Sequence, residues 1–139
     1  MPESNTCFID TNIWLYALLD TGETDKTKAA QMLVRSSKVS VSTQVISEVC
    51  VNLIKKAKMP EGEIRKFIEG IYASHRVVEL DMRVFLFASE LREEYSLAFW
   101  DSMIVSAAFL SGAETIYTED MQDGLVIRES LQIINPFKA

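Results

Sequence analysis

The sequence predicts an α/β fold, a three-layer α/β/α sandwich around a mostly parallel central sheet. Three observations carry this expectation. Short apolar or alternating runs (TCFID, VSVS, RVVEL, ETIYT, LQIIN) read as strands, and helical segments lie between most of them. Strands that alternate with helices call for a sheet covered by helices, with mostly parallel pairing. The chain has 139 residues, 48% of them apolar, which suits one core and not two. No linker, repeat or low-complexity segment interrupts it, so residues 1–139 read as a single domain.

The elements follow in order. Residues 6–10 form a strand, and IWLYALLD continues at helical spacing after Asp10-Thr11-Asn12, so the strand feeds a helix through a very short turn. A second helix begins near Thr24, with Ala29, Met32 and Leu33 at core spacing. VSVS alternates as a strand, and Ser42 or Thr43 can cap a helix over roughly 44–58 that stops before Met59-Pro60. Pro60 sits at the first turn of the next helix, where proline is tolerated. RVVEL is a strand, MRVFLFASELREEY an amphipathic helix, and FWDSMIVSAAFLSG a helix ending at Gly112. ETIYT is a strand, TEDMQDG a turn, and LQIIN a last strand before Pro136.

Composition narrows the function classes. The longest strongly apolar stretches, IWLYALL and MIVSAAFL, fall well short of the roughly 20 residues of a bilayer span. The start, MPESNTCFID, has an acid, no basic residue and no separate apolar run, which argues against a secretory signal. Cys7 and Cys50 lie in apolar settings with no CxxC or Cys/His pairing, so two buried free thiols in a reducing cytoplasm are expected. The net charge of −6 argues against a generic nucleic-acid binder. That argument weakens if several of the negatives face one cleft holding divalent ions.

Four acids stand at four junctions: Asp10 in FIDTNIWLY, Glu48 in VISEVCVNL, Asp101 in FWDSMIVSA and Asp120 in IYTEDMQDG, none with a basic residue within four positions. Open α/β sheets bind ligands at the carboxyl ends of their strands. Asp10 and Asp120 fall at such ends, and Glu48 and Asp101 lie on helices that can pack beside them. Each also has an ordinary reading. Asp10 can be an N-cap, with Asn12 doing similar work. Glu48 borders the stripe Val45-Ile46-Val49-Leu53, sharing its side with Asn52 and Lys55, and a lone helical Glu is usually solvated. Asp120, with Glu119 and Asp123, can be an Asp-Gly turn. Asp101 carries most information, because the helix it opens is apolar or small almost all round. A helix dipole is worth roughly 0.3–1 kcal/mol, whereas burying an unpaired carboxylate costs several. A divalent metal is the natural compensation.

Oxygen ligands suit magnesium or manganese. Zinc fits poorly, since His75 is the only histidine, and a serine or cysteine triad lacks a base near these acids. TEDMQDG lacks the ligand pattern of an EF-hand loop. Thr118 ends its strand, where its hydroxyl can bind a metal-bound water.

The ordered set FIDTNIWLY, SEV, FWDSMIVSAA, YTEDMQDG and IINPF resembles the PIN domain nucleases over essentially the full chain, most of all the VapC-like toxins of toxin–antitoxin pairs. The resemblance implies a small α/β/α sandwich that cleaves RNA with Mg²⁺ or Mn²⁺ held by carboxylates. Asp10, Glu48, Asp101 and Asp120 match the acidic quartet, with Glu48 reaching the metal directly or through water. Asn12 and Thr118 match supporting polar positions, and Asp123 is at best an accessory acid. A homodimer and a cognate antitoxin whose tail enters the acidic cleft are also implied. Two other acid-rich α/β families do not match. An aspartyl-phosphate phosphatase needs an Asp where Asn12 stands, and a receiver domain needs an adjacent acidic pair after its first strand.

The leading expectation is a metal-dependent endoribonuclease that attacks the phosphodiester with activated water. RNA contact would come from the scattered basic residues, densest at Lys55, Lys56, Lys58, Arg65 and Lys66, which can equally be solvating two helices. Two alternatives stay open. One is a module that binds an antitoxin or other protein through its acids; the other is a metal-dependent nuclease or phosphatase with a non-RNA substrate.

Overall fold

The computed structural model describes residues 6–36 and 38–138. In chain order the elements are β1 (Cys7–Ile9), α1 (Thr11–Leu18), α2 (Thr24–Val34), β2 (Val39–Ser42), α3 (Thr43–Ala57), α4 (Glu61–Ser74), β3 (Arg76–Val78), α5 (Met82–Tyr95), α6 (Phe99–Leu110), β4 (Thr115–Tyr117), β5 (Val126–Ile127) and β6 (Leu131–Ile134). The sheet order is β3-β2-β1-β4-β6-β5. All pairings are parallel except β5, which runs antiparallel to β6. This is the α/β class with a mostly parallel sheet that the sequence predicts.

The order fixes where the layers lie. From β1 the chain steps outward to β2 and then to β3, through α1–α2 and α3–α4. It then crosses back through α5–α6 to place β4 on the other side of β1. Because parallel crossovers are right-handed, the first two helix pairs cover one face and α5–α6 the opposite one. The direction of winding reverses between β1 and β4. At such a reversal the flanking loops part and leave a crevice at the carboxyl ends of the strands.

Central position explains burial. All of β1 is buried, with Phe8 and Ile9 fully enclosed, and Val39, Val41, Ile116 and Ile133 continue the core through neighbouring strands. Residues Ser102 to Ala108 of α6 are all buried, as expected for a helix apolar or small nearly all round. The hydroxyl of buried Ser106 donates to the Val84 carbonyl at 2.8 Å, fastening α6 to α5. Among the thiols Cys7 is buried, but Cys50 is only partly so, because it lies at the edge of the α3 stripe rather than within it.

Helix ends follow local chemistry. The Ser42 hydroxyl caps α3 by accepting the Val45 amide at 3.3 Å. Pro60 stands one residue before α4, in extended conformation, rather than inside its first turn. Helix α6 stops at Leu110, two residues before Gly112. That glycine has φ 86° and directs its amide to Phe109, while the Ala113 amide returns to Ala108. This is a Schellman ending, which needs the left-handed residue glycine supplies.

Strand β5 is absent from the sequence reading. It is two residues long, and its turn to β6 uses Arg128 and Glu129, both at positive φ (47° and 63°), closed by the Ser130 amide on the Ile127 carbonyl. Such a turn is normally signalled by Asn-Gly or Asp-Gly. Here the conformation is held from outside. The Arg128 amide donates to the Tyr95 hydroxyl at 2.7 Å, and its guanidinium pairs with Glu90 and Glu94 of α5.

Candidate active site

Asp10 follows β1 directly and lies at the crevice between β1 and β4, 7% exposed. Each carboxylate oxygen has its own donor. The Thr11 amide reaches Oδ1 at 2.7 Å, making Asp10 the N-cap of α1, and the Thr118 hydroxyl reaches Oδ2 at 2.7 Å. The capping role is thus real, and it occupies only one oxygen. Burial pushes this carboxyl up to about 6, against the opposing pull of both hydrogen bonds and with added repulsion from Glu48 and Asp120.

Glu48 reaches the same place from α3. Its Oε1 accepts the Thr11 hydroxyl at 2.6 Å and its Oε2 the Gln44 amide at 3.3 Å. Asn52 sits one turn on but directs its amide to the Glu48 backbone carbonyl at 2.9 Å. Lys55 is exposed and outside the cavity lining, so the polar line expected from Glu48 stops at Asn52.

Asp101 is the third residue of α6, half-exposed although the helix behind it is buried. Among the described residues it has no hydrogen-bond or ion-pair partner. Its carboxyl is raised by partial burial, then by repulsion from Asp120 and Glu48. Asp120 lies three residues beyond β4, exposed, with the Asn12 amide on its Oδ2 at 2.8 Å and its own amide on the Thr118 hydroxyl at 3.2 Å.

All four acids line one open cavity of about 400 Å³, together with Asn12, Thr11, Gln44, Asn52 and Trp100. Two expected supporting residues stand differently. Thr118, fully buried, works from beneath, with its hydroxyl on Asp10 rather than turned to a bound water. Asp123 lies outside the lining and accepts the Asn135 amide at 2.7 Å, bracing the segment after β6. Thr11, Gln44 and Trp100 are not among the site residues expected from the sequence. Thr11 was discoverable from its place between Asp10 and Asn12. Gln44 needed the knowledge that it sits one turn before Glu48 on the cavity side.

The sequence model of the PIN domain family matches residues 7–122, which include all four acids. The chain belongs to the PIN domain family. No curated protein sequence matches it. Two solved structures share the fold at 18% identity. A toxin–antitoxin complex from Klebsiella pneumoniae covers 96% of this chain and 100% of its own, with TM-score 0.68. VapC20 of Mycobacterium tuberculosis, a toxin that cleaves the sarcin-ricin loop, covers 83% and 90%, with TM-score 0.64.

In this PIN domain the donor set suits a hard divalent cation in kind. It consists of carboxylates and amide carbonyls, with no sulfur or imidazole lining the cavity. Two of those carbonyl oxygens, Asn12 Oδ1 and Gln44 Oε1, are buried without any hydrogen-bond partner. An orphaned acceptor of this kind costs about 1–3 kcal/mol. As they stand, no three acidic side chains among the described residues converge closely enough to hold an ion. Glu48 and Asp120 are instead engaged by neutral neighbours. A cation would have to compete with those donors.

Proposed function

We propose that this PIN domain is a divalent-metal-dependent endoribonuclease, and the toxin of a toxin–antitoxin pair. One observation carries the reading: Asp10, Glu48, Asp101 and Asp120, spread over the chain, line a single cavity at the winding reversal of the sheet. Four carboxylates facing one space, two of them held above their ordinary range, call for positive charge there. The toxin role is supported by the fold shared with the two toxin structures. A cognate antitoxin that offers basic side chains to this cavity, and a homodimer, belong to the same proposal.

Bound Mg²⁺ or Mn²⁺ would supply an acidified water and neutralise charge on the phosphate. Asp10, Asp101 and Asp120 would hold it, with Glu48 directly or through water. The rest is done by the chain. Thr118 and Thr11 fix both oxygens of Asp10, so its orientation is set before any ligand arrives. Thr11 also tethers Glu48, which links the end of β1 to α3 through one side chain. Asn12 holds Asp120, on the turn after β4, at the cavity through its side-chain amide. The partnerless Asp101 is the acid with the least to give up on binding a cation.

The deciding assay offers RNA, single-stranded DNA and a phosphomonoester side by side with Mn²⁺, Mg²⁺ or EDTA. RNA cleavage that needs the metal and disappears in D10N and D101N is the expected result. Cleavage at the wild-type rate in those variants and in excess EDTA would falsify the metal mechanism.

The lack of a converged acidic cluster favours a second reading, a protein-binding module whose acids pair with arginines of a partner. It predicts no metal-dependent cleavage of any nucleic acid, with partner capture lost in the same variants.

A further inference from the structure

The cavity has one large aromatic wall. Trp100 is 59% exposed, and it lines both the acidic cavity and a second, mainly apolar hollow of about 340 Å³ that extends towards Leu80 and Ser47. Gln44 and Glu48 border both spaces as well, so the hollow continues directly from the acids.

An exposed indole would be free to change rotamer, but this one is buttressed. Phe99 meets it edge-on with ring centroids 5.0 Å apart, and the Arg92 guanidinium lies 4.7 Å from the centre of the Phe99 ring. Arg92 is fixed in turn by Nη1 donating to the Ser102 hydroxyl at 2.8 Å, and that hydroxyl donates to the Phe99 carbonyl at 2.6 Å. Among the described residues no carboxylate forms an ion pair with Arg92, so its charge is available beside the aromatic pair. Below the hollow, Gln44 is 7% exposed with its Oε1 unpartnered. A ligand bearing donor groups would relieve that deficit.

We propose that Trp100 is a stacking platform for one nucleobase of single-stranded RNA, the base next to the phosphate in the acidic cavity. The proposal rests on the ribonuclease reading above and names how the substrate is gripped. A chain of net charge −6 has little general attraction for phosphates beyond the metal-holding cavity, so a contact to the base adds affinity that the surface charge does not supply. Base–aromatic stacking supplies it and tolerates any sequence, since every base has a π face, and Arg adds a cation beside it. Bases stacked within a duplex cannot use such a platform. The site therefore selects loops and unpaired strands.

The test titrates short fluorescein-labelled oligoadenylate and oligouridylate into wild type, W100F and W100A with Ca²⁺ as the added ion, following anisotropy and indole emission. The expected result is saturable indole quenching in wild type that is lost in both variants. Dissociation constants should rise about 5- to 150-fold in W100A and stay within about threefold of wild type in W100F. The KM for RNA in Mn²⁺ should follow the same pattern, with kcat changing less. Wild-type affinity in W100A, or no quenching in wild type, overturns the platform. So does a changed oligomeric state in W100A with RNA affinity intact, which would make Trp100 a protein contact. If wild type cleaves no RNA but the quenching and affinity differences appear, the ribonuclease reading fails and the platform stands. If wild type cleaves and W100A matches it, the platform alone fails.

Discussion

The hydroxyl of Thr118 donates to Oδ2 of Asp10 across 2.7 Å, joining the ends of the two strands between which the winding of the sheet reverses. Thr118 is fully buried and also accepts the Asp120 amide at 3.2 Å, so one side chain orients two acids.

Thr118→Val keeps the shape and removes both bonds. The variant should lose about 1–2 kcal/mol of stability. Because the hydroxyl favours the charged form of Asp10, its loss should raise that carboxyl further. The acid limb of the cleavage–pH profile should move to higher pH in Thr118→Val and stay put in Thr118→Ser. A profile that does not move would mean the hydroxyl has no part in setting the acid.

Asp10 itself links stability to pH in the metal-free protein. Its folded value of about 6 lies above its ordinary 3.8. Between those values the folded chain binds more protons than the unfolded one, so this group favours folding increasingly as pH falls from 7 to 4. Its cost is fully present above about 6 and amounts to roughly 3 kcal/mol. Asp10→Asn should therefore raise Tm by several degrees at pH 7.5 in EDTA and by almost nothing at pH 4. Equal shifts at both pH values would show that charge is not the cause.

Metal and protons should compete at the same group. Adding Mn²⁺ at about pH 6 should release protons from wild type, and the release should fade towards pH 8, where Asp10 is already ionised. Apparent affinity should rise over that interval. Calorimetry in buffers of different ionisation enthalpy measures the release, and zero release at pH 6 would contradict a site that includes Asp10.

Asp123 offers a negative control among the acids. It braces the Asn135 amide at 2.7 Å and stays outside the cavity. Asp123→Ala should leave metal-dependent cleavage within about twofold and cost no more than about 1 kcal/mol, an exposed hydrogen bond. A large loss of cleavage without unfolding would return this residue to the reacting cavity.

Much of the architecture was legible because period and punctuation agreed. VSVS, the Ser42 cap and the MRVFLFASELREEY helix carry their signals locally, and the structure has them at Val39–Ser42, Ser42 and Met82–Tyr95. What escaped was set by distant contacts. The β5–β6 turn at Arg128 and Glu129 is held by α5, so its own residues do not announce it. The acids were visible as a set, but their ranking was not. Asp101 looked the most buried from the helix behind it, whereas Asp10 is far more enclosed, because β1 is the central strand and the first turn of α6 opens to solvent. One partner of Glu48 was hidden for a similar reason: Thr11 lies 37 residues away in sequence.

The order of winding has a consequence for the order of folding. Asp10 follows β1, yet its partner Thr118 lies 108 positions later in sequence, and the Asp10 amide waits for the Tyr117 carbonyl. Until β4 has slotted beside β1, the crevice has only one wall, and Asp10 lacks both the Thr118 hydroxyl and the Tyr117 carbonyl. Long-separated pairings of this kind form late. The crevice is therefore completed only at a late step of folding, when the pairing of β1 with β4 is made.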